Sequence, residues 1–349
     1  SKLRTRAEAL LTLHNTDHAE WYETAVLHLV GVSAFLIAAA QNGLLDVFNE
    51  TWGLDLKADL PSVKAIFDAD REVLFGRPKR NEAGDLERNA SGGVAMEKLG
   101  LKACLTVDNE AFPNPLIRLT SQCAAQMSTE SKNMGAQAWQ QVGRQLQWLS
   151  DPDLSDAVKK STFDISRIAY DDISLFVGLP GGLEAEKNAP LQRLIIALVA
   201  EAMNEKFKAN GEGGKTVLTV LDDFAMLGNL SRVLGTANLG ALYKTGMICW
   251  FILQNLDQLF DIYGPEAAGA ILAECPIKSM MALEGERDLK FLSDRCGTNR
   301  LTGKPYLMPH EIREIIRKPD NELPRRKIVM LPDMPDTFII KPNTPAWKQ

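Results

Sequence analysis

The sequence predicts an all-helical first part followed by an α/β part built on a mostly parallel sheet. From Thr16 to about Asp156, apolar residues recur at helical spacing and runs of β-type residues are nearly absent. After Asp164, short apolar β-type runs alternate with helical segments, which is typical of right-handed crossovers that cover both faces of a parallel sheet. We therefore expect an all-α domain at residues 1–160 and an α/β domain at residues 161–349.

The helical part is expected to form its core from amphipathic helices. The most apolar stretch, Ala25 to Ala40, is shorter than the ~20 residues that cross a bilayer, which favours a core helix over a membrane span. Trp139 and Trp148 are expected to fill the same core. The predicted core faces carry Trp21, Ala25, His28, Leu29 and Val32, and Trp139, Val142, Leu146 and Leu149.

One polar stretch interrupts the helical pattern. Residues 77–84 and 89–93 are rich in charged residues, asparagine and glycine, which is the composition of an exposed loop. We expect poor order near Gly84.

The α/β part contains six strand candidates separated by helices and turns. Two of them are almost wholly apolar, as central strands are, and we expect those two to lie in the middle of the sheet. The last two, with prolines between them, resemble an edge hairpin. The strand candidates are Ile173–Val177, Val217–Leu221, Met247–Leu253, Ile277–Leu283, Lys327–Leu331 and Thr337–Lys341. The helix candidates are Leu191–Phe207, Ser231–Leu242, Leu256–Tyr263, Glu286–Cys296 and Pro309–Ile316.

Composition limits the partners and cofactors of the chain. A net charge of -6 and a pI near 5.4 argue against nucleic-acid binding by the chain as a whole, so a local basic patch would be needed. The five cysteines are widely spaced and form no CxxC pair, which favours buried thiols in a reducing compartment over a zinc site. His14 and His18 lie one helical turn apart, but no third ligand is near them in the sequence, so ordinary histidines are favoured there and at His28.

The sharpest chemical signal is an apolar strand, Val217 to Leu221, that ends in Asp222 and Asp223. In nucleotide-hydrolysing sheets, the first acid at such a strand tip holds Mg²⁺, usually through water, and the second orients the attacking water. This is the Walker B interpretation. The alternative is that the two acids begin a turn and cap the next helix, and the strand alone does not decide between them.

The next central strand ends in a second polar group. Gln254 and Asn255 follow Met247 to Leu253, and an amide at that position can contact the γ-phosphate or its attacking water. We expect Gln254 to be such a sensor, whereas Asn255 is also compatible with a helix cap. Asp222 and Gln254 should then lie at adjacent strand tips on one edge of the sheet.

A phosphate-binding loop is not identified in the sequence. Residues 211–216 end in Gly-Lys-Thr, but the GxxxxGK[ST] pattern requires glycine where Ala209 stands. The order of elements is also reversed, because a helix precedes this segment and a strand follows it. We interpret the segment as a flexible helix-to-strand connection.

The series of motifs resembles the type IV secretion coupling-protein family, the TraG/TraD-like motor ATPases. The resemblance covers most of the chain from about Trp21, and the order of its motifs is more specific than any one of them. The matching segments are residues 139–165, 220–228, 250–259, 263–264, 271–275 and 307–312, with the closing hairpin.

The resemblance implies a RecA-like nucleotide-binding domain, incomplete at its N-terminal half, with the all-α domain as an insertion that receives substrates. It further implies a hexameric, membrane-anchored ATPase at the cytoplasmic face of the bacterial inner membrane, using ATP and Mg²⁺. The implied partners are DNA–protein complexes or protein effectors, adaptor or chaperone proteins, and other secretion components. Asp222, Asp223 and Gln254 would be the catalytic residues. Asp222 and Gln254 would contact the nucleotide, and Asp222 would hold Mg²⁺ through water.

Three departures from the family pattern bear on activity. The second Walker B acid is usually Glu, whereas this chain has Asp223, whose shorter side chain would misplace the water. The arginine that acts on the neighbouring subunit's nucleotide has no counterpart at 242–244, and Arg232 is the only arginine nearby. Because the phosphate-loop lysine is also missing, we do not expect ATP turnover by this chain alone. A nucleotide-silent recruitment module that keeps the family fold is the alternative function.

Overall fold

The computed structural model describes residues 2–12, 19–130, 132–179, 185–211, 215–231, 234, 239–281, 283–299, 301–316, 327–332 and 338–340. The chain forms two compact units, Ser1–Gly211 and Glu212–Gln349. This division falls later in the chain than the predicted domain boundary at residue 160, because the helix at residues 185–210 packs against the first helix of the chain. The functional division at 160 stays a prediction.

The first unit is helical. Its helices are α1 (Lys2–Leu10), α2 (Ala19–Gln41), α3 (Leu45–Trp52), α4 (Leu60–Phe67), α5 (Arg71–Phe75), α6 (Leu101–Cys104), α7 (Ile117–Gln126), α8 (Met134–Gln145), α9 (Pro152–Lys159) and α10 (Ala185–Asn210). Short 3₁₀ turns lie at Gln147–Ser150 and Ile165–Ala169. Several helices begin at a side-chain cap, including Asp59 before α4, Asp70 before α5 and Asp151 before α9.

Helix α2 is the centre of the first unit. By length and composition it could cross a membrane, but 72% of its most apolar window is buried inside the unit. It packs mainly against α7 and α8. The predicted core helix is therefore confirmed, and it extends beyond the apolar stretch that predicted it.

The buried histidine of this core is hydrogen-bonded locally, whereas the indole N–H of Trp148 is buried with no hydrogen-bond partner among the described residues. His28 is fully buried, its Nε2 lies 3.0 Å from the Gly135 carbonyl oxygen, and its ring meets Trp139 edge-on. Burial lowers the pKa of His28 to about 4, so the ring is neutral and Nε2–H is the donor to Gly135. The predicted core role of His28 is confirmed, as is that of Trp139 and Trp148. His14 and His18 lie outside the described residues.

Gly31 allows α2 and α7 to approach closely. A Cβ at Gly31 would stand 2.1 Å from the Cβ of Cys123 and 3.2 Å from the Leu119 carbonyl oxygen. No larger residue fits there without moving one helix. Burial raises the pKa of the Cys123 thiol, and Cys104 is buried as well. Cys249, Cys275 and Cys296 are only half-buried, so the prediction of buried thiols holds for two of the five.

The polar stretch predicted as an exposed loop is exposed but regularly folded. Strands β1 (Arg77–Pro78) and β2 (Met96–Lys98) pair antiparallel as a stem, and the chain between them makes two turns closed by bridges. Three backbone positions, 79, 87 and 95, are joined in a ring of hydrogen bonds: Lys79 N to Ala95 O, Ala95 N to Glu87 O, and Glu87 N to Lys79 O. We call residues 77–98 the β junction.

The second unit contains β3 (Val217–Leu221), α11 (Leu239–Lys244), β4 (Met247–Phe251), α12 (Leu256–Glu274), β5 (Lys278–Met281), α13 (Glu286–Arg295), α14 (Pro309–Ile316), β6 (Lys327–Met330) and β7 (Phe338–Ile340). A 3₁₀ turn lies at Phe224–Leu227. Helix α12 is broken at Gly264, whose φ is 74°, followed by Pro265. Half of the predicted helix at 231–242 lies outside the described residues, and α11 covers its end.

The sheets confirm part of the predicted topology. β3 and β4 pair in parallel, from Val217 opposite Met247 to Leu221 opposite Phe251. β6 and β7 form the predicted antiparallel hairpin. The strand predicted at Ile277–Leu283 was expected in the parallel sheet. Its described part, β5, instead pairs antiparallel with β6, so that placement was wrong. A small core formed by Leu289, Leu292, Ile312, Ile316 and Ile328 supports this second sheet.

The strand predicted at Ile173–Val177 is not formed. The segment has no strand pairing, and Phe176 is 91% exposed. Its β-type composition was read correctly, but no neighbouring strand in the described part of the chain pairs with it.

Candidate nucleotide site

The carboxyl ends of β3 and β4 meet at one edge of their sheet. The last paired residues are Leu221 and Phe251, and two further backbone hydrogen bonds continue the contact, Ile252 N to Leu221 O and Phe224 N to Ile252 O, each 3.0 Å. The polar residues that follow each strand therefore leave the sheet side by side. This is the arrangement predicted from the two apolar runs.

The two acids after β3 form a tight turn. Asp223 has φ 44° and ψ 46°, the left-handed conformation that few residues other than glycine, asparagine and aspartate adopt. The Asp222 carboxylate accepts a hydrogen bond from the Asp223 backbone N–H, at 3.1 Å. Both side chains are exposed to solvent. The left-handed backbone favours Asp over the longer Glu at position 223.

The buried side chain of Phe224 anchors this turn. It is 1% exposed, with its ring 4.5 Å from that of Phe251 and stacked at 5.7 Å on Tyr263. The Tyr263 hydroxyl donates to the Gly228 carbonyl and accepts from the Leu230 N–H. Buried aromatic contacts thus fix the backbone that presents the exposed acids.

Gln254 meets the second acid rather than the first. Its Nε2 donates to Oδ1 of Asp223 at 3.2 Å. Asn255 is the N-cap of α12, with Oδ1 accepting from Gln258 N–H at 3.0 Å. The cap alternative therefore applies to Asn255, while the Gln254 amide points to the tip of β3.

Sequence analysis missed Asp288. This residue of α13 is 2% exposed, and its Oδ1 accepts from the N–H of Leu256, the first residue of α12, at 2.9 Å. Burial raises the pKa of Asp288. A Cβ at Gly285 would stand 2.6 Å from its Oδ2, so glycine makes room for the carboxylate. Asp288 thereby ties α13 to the start of α12, two residues beyond Gln254.

Two exposed carboxylates at a strand tip fit a Mg²⁺ ion held largely by water and phosphate oxygens. Mg²⁺ keeps several waters and takes one or two protein carboxylates in such sites. Asp222 and Asp223 offer that donor set, and the residues described contain no group of three or more potential metal ligands. Such a site would depend on phosphate groups for the rest of its coordination.

The Gly-Lys-Thr segment has the geometry of a connection rather than a phosphate loop. Helix α10 ends at Asn210, Gly211 has φ 71°, and β3 begins at Val217. Residues 212–214 lie outside the described part. In the region expected to supply an arginine, Arg232 is likewise not described, and α11 presents exposed Tyr243 and Lys244 instead.

The fold is of the RecA-like α/β class. It is similar to the plasmid coupling protein TrwB in complex with the ATP analogue ADPNP, with a TM-score of 0.60 and 15% identity, covering 97% of this chain and 67% of that one. The TrwB complex with ADP and Mg²⁺ gives a TM-score of 0.57 at the same identity. The predicted fold class is confirmed.

The family follows from the sequence. The family model for Type IV secretory system Conjugative DNA transfer matches residues 105–303, more than half of the chain. The chain therefore belongs to this family, that of the type IV secretion coupling proteins, as the resemblance indicated.

Two curated relatives are type IV secretion system-coupling proteins VirD4. The protein of Bartonella quintana is 25% identical over 263 residues, which is 68% of this chain and 40% of the relative. That of Bartonella henselae is 27% identical over 201 residues, 57% of this chain and 30% of the relative. The chain thus spans less than half the length of either relative.

Proposed function

We propose that this chain is part of a coupling protein that recruits substrates and delivers them to a type IV secretion channel, using ATP hydrolysis by the complete motor. The observation that carries the nucleotide part is the contact between Gln254 and Asp223 at the tips of two parallel strands. Strand tips of this kind are where α/β sheets bind ligands.

The three side chains have distinct proposed roles. Asp222, at the end of β3, would hold Mg²⁺ through water. Asp223 would orient the attacking water, and its hydrogen bond to Gln254 would let that amide respond to the γ-phosphate. Mg²⁺, when bound, supplies neutralisation of the charge that develops on the phosphate oxygens. TrwB structures hold ADPNP in one case and ADP with Mg²⁺ in another, which supports the same ligands here.

The phosphate cradle would come from a part of the motor other than the residues described. The outer face of β3 and β4 is apolar and exposed, with Leu218 at 57% and Trp250 at 58%, as a sheet is when further layers are to cover it. We therefore expect the chain alone to bind Mg-ATP no more tightly than about 1 mM, because backbone amides and a lysine normally supply most phosphate contacts. Isothermal titration tests this, and micromolar affinity would reveal an unrecognised cradle.

The roles are tested by alleles in the bacterium that makes the protein. Asp222→Asn and Gln254→Ala should abolish or strongly reduce delivery of a reporter-fused substrate, whereas Asn255→Ser, which keeps a helix cap, should not. Protein abundance by immunoblot is the control. Asp223→Glu tests the departure from the family, because the left-handed backbone there should tolerate the longer side chain poorly.

A second candidate is a nucleotide-silent recruitment module. It is favoured by Asp223 in place of Glu and by the reversed order of elements at residues 211–216. Normal substrate delivery by the Asp222→Asn allele would support this module and exclude the motor role.

Assembly and location belong to the same proposal. The all-α domain would receive DNA–protein complexes or effector proteins, directly or through adaptors. The complete protein would form a hexamer at the cytoplasmic face of the inner membrane. Cross-linking of the protein in intact cells, followed by membrane fractionation, tests both statements.

A further inference from the structure

The β junction contains an eight-residue repeat. Residues 80–87 and 88–95 align as Arg-Asn-x-x-Gly-x-apolar-x, with Leu86 and Val94 at the apolar position. In each copy, residues at matching positions form an antiparallel β-bridge: Arg80 with Leu86, and Arg88 with Val94. The repeat therefore has a structural counterpart.

The two copies close their turns with the same hydrogen bonds. In each, the asparagine Oδ1 accepts from the backbone N–H four residues later at 2.9 Å, and its carbonyl accepts from the glycine N–H at 2.9 Å. Gly84 and Gly92 have φ of 86° and 83°. Each arginine then donates from Nη1 to the carbonyl of its own glycine, at 2.6 and 2.7 Å.

One face of the junction is neutralised by ion pairs. Because side chains alternate along paired strands, residues 77, 79, 87, 95 and 97 share this face. Lys79 Nζ lies 2.7 Å from Oε2 of Glu87, and Arg77 Nε lies 3.4 Å from Oε2 of Glu97. The Glu87 carboxylate also raises the pKa of Lys79.

The other face combines apolar side chains with two arginines that have no carboxylate within ion-pair distance among the residues described. Leu86, Val94 and Met96 are 47%, 40% and 37% exposed on this face. Arg80 and Arg88 flank them. Each guanidinium donates one hydrogen bond to a carbonyl oxygen of its own turn, and its remaining N–H groups face solvent.

The two copies differ in their surrounding charge. The first turn carries two exposed acids, Glu82 and Asp85, which partly offset the charge of Arg80. The second turn, residues 89–93, carries none. Arg88 therefore has fewer acids in its own turn than Arg80 has.

We propose that the face bearing Arg88, Val94 and Met96 is a docking surface for a peptide segment of a partner protein that combines carboxylates with apolar side chains. A guanidinium binds a carboxylate in a fork-shaped, two-hydrogen-bond geometry, and the neighbouring apolar side chains remain available for matching contacts. Nucleic acid is the weaker match, since its binding usually draws on more cations than the two arginines of this face, and residues 77–98 contain no aromatic side chain on which a base could stack. The inference deepens the proposed recruitment role and rests on it for its biological meaning.

The test is fluorescence anisotropy on the chain itself, with a short fluorescein-labelled peptide of alternating glutamate and leucine as the probe. The expected result is saturable binding that Arg88→Glu weakens about 10-fold and Arg80→Glu weakens less. Val94→Ser, which leaves both arginines in place, should weaken binding about 3-fold through lost apolar contact. Arg118→Glu, a matched change of an exposed arginine at the start of α7, should leave binding unchanged. Circular dichroism verifies that each variant is folded.

Four outcomes would overturn the proposal: no saturation below about 1 mM, equal binding of a glutamine–leucine analogue, equal loss with Arg118→Glu, or tighter, Arg88-dependent binding of a DNA oligonucleotide. The last would identify the face as a nucleic-acid site. None of these outcomes depends on ATP or on secretion, so failure here leaves the proposed motor function untouched, and failure of the alleles above leaves this surface untouched.

Discussion

Replacing Gly31 by alanine should destabilise the first unit, although alanine is the better helix former. The added Cβ would stand 2.1 Å from the Cβ of Cys123, against an ordinary carbon–carbon separation of about 3.5–4.0 Å. Both carbons are fixed to helix backbones, so no side-chain rotation relieves the clash. Helices α2 and α7 must separate locally by about 1.5 Å.

The magnitude follows from two opposing effects. Overpacking of a tight core costs about 3 kcal/mol at the upper end of its usual range, and removing a glycine from a helix interior returns about 1 kcal/mol. We expect Gly31→Ala to lower the free energy of unfolding by about 2 kcal/mol. Urea denaturation followed by circular dichroism measures this value.

The second helix supplies a sharp control. Cys123→Ala keeps the Cβ, so Gly31→Ala should cost the same about 2 kcal/mol in that background. Cys123→Gly removes the Cβ, and there the cost of Gly31→Ala should vanish. An unchanged cost in the Cys123→Gly background, or no cost in the wild type, would refute the proposed contact between the helices.

Three further predictions concern buried groups. Because the pKa of His28 is lowered to about 4 from its ordinary 6.5, the unfolded chain takes up a proton first, and stability is lost as pH falls from about 6.5 towards 4. The free energy of unfolding, measured by urea denaturation, should fall by about 2 kcal/mol between pH 7.5 and pH 5. This fall should disappear in His28→Gln. An unchanged pH dependence in that variant would show that His28 does not cause it. Asp288→Ala should destabilise the second unit by about 1–3 kcal/mol in thermal denaturation. Asp288→Asn should destabilise it clearly less, because it keeps an oxygen acceptor for the Leu256 N–H. Equal losses of stability in the two variants would show that this hydrogen bond is unimportant. Phe224→Ala should cost about 3–5 kcal/mol by the same assay, whereas Met226→Ala, at an exposed position of the same turn, should be nearly neutral.

The neighbouring strand tips could be predicted because each strand end is marked in the local sequence and the family resemblance makes the two strands neighbours. Each apolar run ends in polar residues, and parallel neighbours bring their carboxyl ends to one edge of the sheet. The core position of α2 was predicted from the length of its apolar stretch, but the whole helix is long enough to cross a membrane, and its burial inside the unit is what identifies it as a core helix.

The errors arose where pairing depends on distant segments. Ile173–Val177 has the composition of a strand, but composition does not say which strand, if any, lies beside it. Lys278–Met281 does form a strand, and its partner β6 lies about fifty residues further along the chain in an antiparallel sheet. Asp288 was missed because a single acid in an amphipathic helix looks like a surface residue until the fold buries it.

The β junction was only half predicted. Its polar composition indicated exposure correctly, but the eight-residue repeat that specifies its two turns was overlooked. Comparing the stretch with itself at an offset of eight residues would have revealed the matching arginine, asparagine and glycine positions.

The geometry of the β junction also allows its length to change in steps of eight residues. Each copy of the repeat begins and ends at a corner of the same backbone ring, at Lys79, Glu87 and Ala95. Deleting one copy would bring two corners together and leave an ordinary hairpin on an unchanged stem. Insertions or deletions of eight residues can therefore lengthen or shorten this projection during evolution without disturbing the helices that carry it.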